Sequence, residues 1–77
     1  MTEVRFPSMS DDADATGVVV TWFVDDGQEV VEGALIAEVA MDKVDQELPA
    51  PASGVISLLV AEEQAVPQGS VIATIGG

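Results

Sequence analysis

The chain has 77 residues, 48% of them hydrophobic, and 14 acidic against 2 basic side chains give a formal net charge of −12. That length holds one domain, read here as residues 1–77 with an ordered core over about 3–75. A surface this acidic repels phosphate backbones and anionic lipid, which excludes nucleic acid and membrane surfaces as partners and favours basic protein surfaces.

Taken in order, the chain reads as β. Val4-Arg5-Phe6-Pro7 is a short strand that Pro7 ends. Residues 8–16 form a polar, acidic loop. Gly17 opens residues 18–24, which are rich in β-branched and aromatic side chains and too short for a typical helix. If this strand alternates regularly, Val18, Val20, Trp22 and Val24 face inward. Asp25-Asp26-Gly27-Gln28 is a turn, with Gly27 able to take positive φ. Residues 29–33 lead into a strand over 35–39, followed by Met41-Asp42-Lys43-Val44.

The pattern then returns. Residues 44–48 alternate apolar and polar, as a half-exposed strand does. Pro49-Ala50-Pro51-Ala52-Ser53-Gly54 is a loop, residues 55–60 a strand, residues 61–64 a turn, and residues 66–69 lead into a last strand over 70–75. Laying Gly17 on Gly54 puts Val18-Val19 on Val55-Ile56, Trp22-Phe23 on Leu59-Val60 and Asp25-Asp26 on Glu62-Glu63. With one residue then deleted from the second half, Val30 to Gly33 falls on Val66 to Gly69, and Leu35-Ile36-Ala37 on Val71-Ile72-Ala73. Phe6-Pro7 has a looser echo in Leu48-Pro49. Two copies are too few for a solenoid. They are expected to close face to face as two small antiparallel sheets around one core.

Most catalytic chemistry is absent from the composition. There is no His and no Cys, so the common general base, thiolate nucleophiles, disulfides and most zinc sites are excluded. No hydroxyl lies in a nucleophile elbow, and there is no glycine-rich phosphate loop. The paired acids at 11–12, 25–26 and 62–63 sit in expected turns, where solvation leaves them ordinary. Asp11, Asp12 and Asp14 do not follow the spacing of a calcium loop. What remains is an amine. Lys43 is the only lysine and falls at an expected two-residue turn near the junction of the repeats. An exposed lysine is protonated at neutral pH, so it is a poor catalyst and a good attachment point for an enzyme that supplies the deprotonation. Taken alone, it also reads as a solvated residue that discourages edge pairing.

The whole chain resembles a lipoyl domain of the acyltransferase component of 2-oxo acid dehydrogenase complexes, within the biotinyl/lipoyl attachment family. Asp42-Lys43-Val44 resembles the family's Asp-Lys-Ala/Val hairpin. Trp22-Phe23-Val24 with Asp26-Gly27 resembles its Trp-Phe-Val strand and acidic-Gly turn, and residues 49–54 its Pro-x-Pro-x-x-Gly loop. The resemblance implies a flattened barrel, a sandwich of two four-stranded antiparallel sheets with pseudo-two-fold symmetry. It implies a non-catalytic, monomeric carrier with lipoate amide-linked to Lys43, with Met41, Asp42 and Val44 flanking for ligase recognition, and Gly27 and Gly54 as turn glycines. The implied partners are a lipoate-protein ligase or lipoyl transferase, a 2-oxo acid decarboxylase, the acyltransferase core and dihydrolipoamide dehydrogenase. The implied setting is the bacterial cytosol, or the mitochondrial matrix in a eukaryote.

Two departures stand out. The family's Glu-Thr-Asp-Lys is here Ala40-Met41-Asp42-Lys43, an echo, displaced by one residue, of the Ala-Met-Lys-Met of biotin carriers. Gln64 stands where a second turn glycine is common, and a positive φ there carries a penalty of roughly 1 kcal/mol. The alternatives are therefore a biotin carrier with biotin on Lys43, and an unmodified interaction module.

Overall fold

A computed structural model of the chain describes residues 1–8, 11, 15–41 and 44–76. Eight strands follow in order: β1 (Thr2–Arg5), β2 (Thr16–Trp22), β3 (Glu29–Val30), β4 (Leu35–Met41), β5 (Val44–Pro49), β6 (Gly54–Leu58), β7 (Ala65–Pro67) and β8 (Val71–Gly76). They form two four-stranded sheets, ordered β1-β8-β6-β3 and β5-β4-β2-β7, with every pairing antiparallel. This is the all-β double sheet expected from the repeat. The segments read as leads into the next strand contain short strands of their own, β3 and β7. Both lie at sheet edges, where Pro67 removes no ladder hydrogen bond that the fold needs.

The duplication is visible in the pairing. Advancing each strand number by four, with β8 followed by β1, converts one sheet order into the other. Each sheet therefore takes two strands from each half of the chain.

The structural register of the repeat differs from the one read in the sequence. Val19 pairs with Val39 and Thr21 with Glu38, so β2 carries a bulge with Val20 as the extra residue. Across β6 and β8 the equivalent steps, Ile56 to Ile75 and Ser57 to Thr74, are regular. The one-residue gap thus falls at Val20 and not after the turn. Trp22 corresponds to Leu58, Phe23 to Leu59 and Gly27 to Glu63. The hydrogen bonds agree: Phe23 N–H donates to Ile36 O as Leu59 N–H does to Ile72 O, and Gly27 N–H donates to Ile56 O as Glu63 N–H does to Val19 O. Phe6 corresponds to Ala50, not Leu48, because Gly69 N–H donates to Phe6 O as Gly33 N–H donates to Ala50 O.

The bulge also overturns the expected inward face. Val19 is fully buried, Val20 is 37% exposed, and Trp22 is half-buried against the core. A regular strand would have buried the even-numbered residues throughout. One inserted residue breaks that alternation. The core between the sheets consists of Val4, Phe6, Val19, Val30, Ile36, Val39, Met41, Ile56, Val66, Ile72, Ile75 and three alanines, with no buried polar or charged residue among those described.

The left-handed position in the second turn is Glu63, at φ 65°, and not Gln64. Gln64 corresponds to Gln28, and both use their side chains in the same way. Asp25 N–H donates to Gln28 Oε1 at 3.0 Å, and Ala61 N–H donates to Gln64 Oε1 at 3.2 Å. A glycine at 64 would lose that cap. The glycine-like conformation falls one residue earlier, opposite Gly27 at φ 87°.

Candidate functional site

The sheet built from β5, β4, β2 and β7 positions the candidate site. β4 is central in that sheet, paired with β2 over residues 18–22 and with β5 over 44–49. Its side chains Ile36, Ala37 and Val39 are fully buried, so its course is held from below. β4 ends at Met41, which pairs with Val44 at the start of β5. Between them lie Asp42 and Lys43, and both are outside the described residues.

The two residues that flank this pair have opposite environments. Met41 is buried and belongs to the core cluster, which anchors the end of β4. Its side chain is packed inward at the end of β4. Val44 is 53% exposed, and Asp45 beside it is exposed. The flanking residues named from the sequence thus separate into one internal anchor and one displayed side chain.

Gly27 and Gly54 do not border the tip. Gly27 lies in the turn between β2 and β3, and Gly54 opens β6 at φ 149°. A Cβ on Gly54 would strike the backbone of Gly76, and a Cβ on Gly17 would strike the backbone of Ala40. Gly17 holds β2 close against β4 at Ala40, two residues before Asp42 in the chain. Its importance to the site was legible only as the start of the repeat.

Three polar contacts that support the sheet have no local sequence signature. Trp22 Nε1–H donates to Val60 O at 3.1 Å. Trp22 N–H donates to Glu62 Oε2, and the equivalent Leu58 N–H donates to Asp26 Oδ1, at 2.8 and 2.9 Å. Two acids read as solvated loop carboxylates are therefore used to close the ends of β2 and β6. Among the described residues no group of His, Cys, Asp and Glu has the arrangement of a metal site. The acids at 12 and 14 lie outside those residues.

Residues 2–75 match the family described as "Biotin-requiring enzyme", the biotin/lipoyl attachment family. The chain belongs to this family. Over 76 residues it is 34% identical to the dihydrolipoyllysine-residue acetyltransferase component of the pyruvate dehydrogenase complex of Corynebacterium glutamicum, covering 97% of this chain and 11% of that protein. It is 30% identical over 63 residues to the succinyltransferase component of the 2-oxoglutarate dehydrogenase complex of Cupriavidus necator, covering 82% of this chain and 15% of that protein. The chain thus spans roughly a tenth to a seventh of the curated relatives it matches. Among solved structures it is similar to the lipoyl domain of the 2-oxoglutarate dehydrogenase complex of Azotobacter vinelandii. That similarity has a TM-score of 0.82 and 28% identity over 100% of this chain and 98% of the other. The family's flattened barrel and the repeat inferred from residues 17 and 54 are one architecture, and this member is a lipoyl-type domain.

Proposed function

We propose that this domain is a swinging-arm carrier, with lipoate held in amide linkage on Lys43. The observation that carries the reading is full-length similarity to a lipoyl domain together with a single lysine, placed between the paired residues Met41 and Val44. The residues present fit such a group. An amide needs one amine, and Lys43 supplies it. When bound, lipoate supplies a dithiolane that carries acyl groups and reducing equivalents, chemistry the side chains here lack. The domain itself contributes a firm platform. Buried Met41 and the β4–β5 ladder fix the base of the tip, and the rest of the chain supplies surfaces for recognition. Tethering then replaces free diffusion by a high effective concentration at each active site.

The partners follow from the relatives, which are components of pyruvate and 2-oxoglutarate dehydrogenase complexes. We assign the domain to such a complex, served by a 2-oxo acid decarboxylase, an acyltransferase core and dihydrolipoamide dehydrogenase. Biotin as the attached group is the less favoured reading, because the relatives described above are lipoyl-bearing acyltransferases and Asp42 precedes the lysine. Intact mass after co-expression with a lipoate ligase tests the assignment. A single lipoyl adduct is expected on the wild type and none on Lys43→Arg. An unmodified wild type, or an adduct that survives the substitution, rejects it.

A further inference from the structure

The two halves fold alike, so what one half does without, the fold does not require. At the end of β4 that leads to Lys43, Gly17 lies against Ala40, next to the buried Met41. The matching place in the other sheet is Gly54 against Gly76. Val66, paired with Gly17, and Val30, paired with Gly54, are both buried, so the short edge strands pack alike at the two places.

Two equivalent core positions are not alike. Phe6 stands where the other half has Ala50. Val39 and Ile75 are equivalent by their pairing with Val19 and Ile56, so Met41 stands where the sequence of the other half has Gly77. Both differences put the larger side chain at the Lys43 end. The Phe6 ring reaches Gly17, since a Cβ there would strike its Cζ and Cε1 as well as Ala40 O. At Gly54 the nearest obstacles are Gly76 and Ile75.

Phe6 is also tied to the opposite sheet. Its N–H donates to Ser70 O at 2.8 Å, and its carbonyl accepts from Gly69 N–H at 2.9 Å, just before β8. With its backbone on one sheet and its ring under the other, Phe6 is a brace between them. Ala50 has the same two backbone bonds, to Ala34 and Gly33, and only a methyl to carry across.

This brace acts where the sheet is least supported. β5 leaves the tip as an edge strand, and residues 44–47 are all exposed. It takes its place from β4. A two-residue connection is positioned by the strands that enter and leave it, so the hold on residues 42–43 comes down to the end of β4. Met41 fixes that end from within the core, and the Phe6 ring fixes it through Gly17 at Ala40.

We propose that Phe6, together with Met41, is a positioning residue for the attachment at Lys43. The equivalent end of the other sheet has no lysine and does without the brace. This role rests on the carrier reading above. In the attachment, Nζ of Lys43 bonds to the carboxyl carbon of an activated lipoate held by the ligase, the activating group leaves, and Nζ gives up a proton. The ligase holds one reactant and the domain must hold the other. Loss of that placement slows the bond-forming step more than it weakens the encounter of the two proteins.

Phe6→Leu removes the far edge of the ring and keeps an apolar core residue. Ile56→Val, a buried residue of β6 in the other sheet, is the control for lost core packing. Each is compared with the wild type at a temperature where circular dichroism shows it folded. Hydrogen exchange read by NMR should quicken about tenfold in Phe6→Leu at residues 39–41 and 44–46, relative to residues 74–76. Lipoylation by a purified lipoate-protein ligase, followed by intact mass over a range of domain concentrations, should show kcat lowered about tenfold with little change in KM. Phe6→Met, whose unbranched chain again reaches Gly17, should restore both readouts. Ile56→Val should change neither the relative exchange nor kcat. A Phe6→Leu domain that matches Ile56→Val in kcat, whatever its exchange, overturns the proposal. A wild type that is not lipoylated defeats the carrier reading instead, and the exchange comparison then decides by itself whether Phe6 braces this end.

Discussion

Gly17 lies so close to Ala40 that a Cβ on the glycine would come within 2.7 Å of the Ala40 carbonyl oxygen, and it would also strike the buried ring of Phe6. The obstacle is backbone on one side and a fully buried side chain on the other, so neither gives easily. Gly17→Ala should destabilise the domain by about 2–3 kcal/mol, the upper range for overpacking a core. Gly27→Ala should cost only about 1 kcal/mol, because nothing lies within 4 Å and the penalty is that of its left-handed φ of 87°. Urea unfolding of the two variants should therefore separate them clearly. Equal losses would mean that conformation, and not space, governs both positions.

Glu63 takes the conformation that Gly27 takes in the first half, at φ 65°. Glu63→Gly should raise stability by roughly 0.5–1 kcal/mol after allowance for the extra freedom of glycine in the unfolded chain. Gln64→Gly should lower it, since the side chain that caps Ala61 N–H is removed. Thermal midpoints that move in opposite directions for these adjacent substitutions are the expected result. A gain from glycine at 64 would reverse the register assigned here.

Trp22 is half-buried, with its indole N–H bonded to Val60 O. Trp22→Phe keeps most of the apolar packing and leaves that carbonyl without its donor, which should cost about 1 kcal/mol. Because the ring keeps some contact with solvent, fluorescence of the folded wild type should peak between the fully buried and fully hydrated limits. A maximum equal to that of free tryptophan would mean that the ring is not packed as described.

Net charge makes a further, independent prediction. With 14 acids and 2 bases the folded state repels itself. Raising NaCl from about 10 mM to about 500 mM shrinks the Debye length well below the size of the domain. The thermal midpoint should rise by several degrees over that range. A flat response would show that the acids are spaced widely enough for repulsion not to limit stability.

Much of this arrangement was legible in residue order. Gly17 and Gly54 mark equivalent strand starts, and the turns at 25–28 and 61–64 mark equivalent ends, because glycine and acidic turn residues occur where only they fit easily. The bulge at Val20 was not legible. Val18-Val19-Val20-Thr21 offers β-branched side chains at every position, so composition gives no reason to prefer one register over another, and pairing with β4 decides it. The same ambiguity displaced the alignment by one residue as far as Gly27 and misassigned the left-handed position to Gln64. Lys43 stood out by being alone, and Phe6 did not, because nothing in the linear sequence places its ring against Gly17.

Each sheet draws two strands from either half, so neither half has a sheet of its own. A peptide of half this length would have to pair with a second copy to complete the same barrel, and every surface feature of that dimer would occur twice. The segments equivalent to residues 42–43 would carry the same side chains in both copies. Joining the halves into one polypeptide lets the copies diverge. A single chain can then carry one lysine and two sheet faces that differ, on a scaffold whose core remains nearly self-similar.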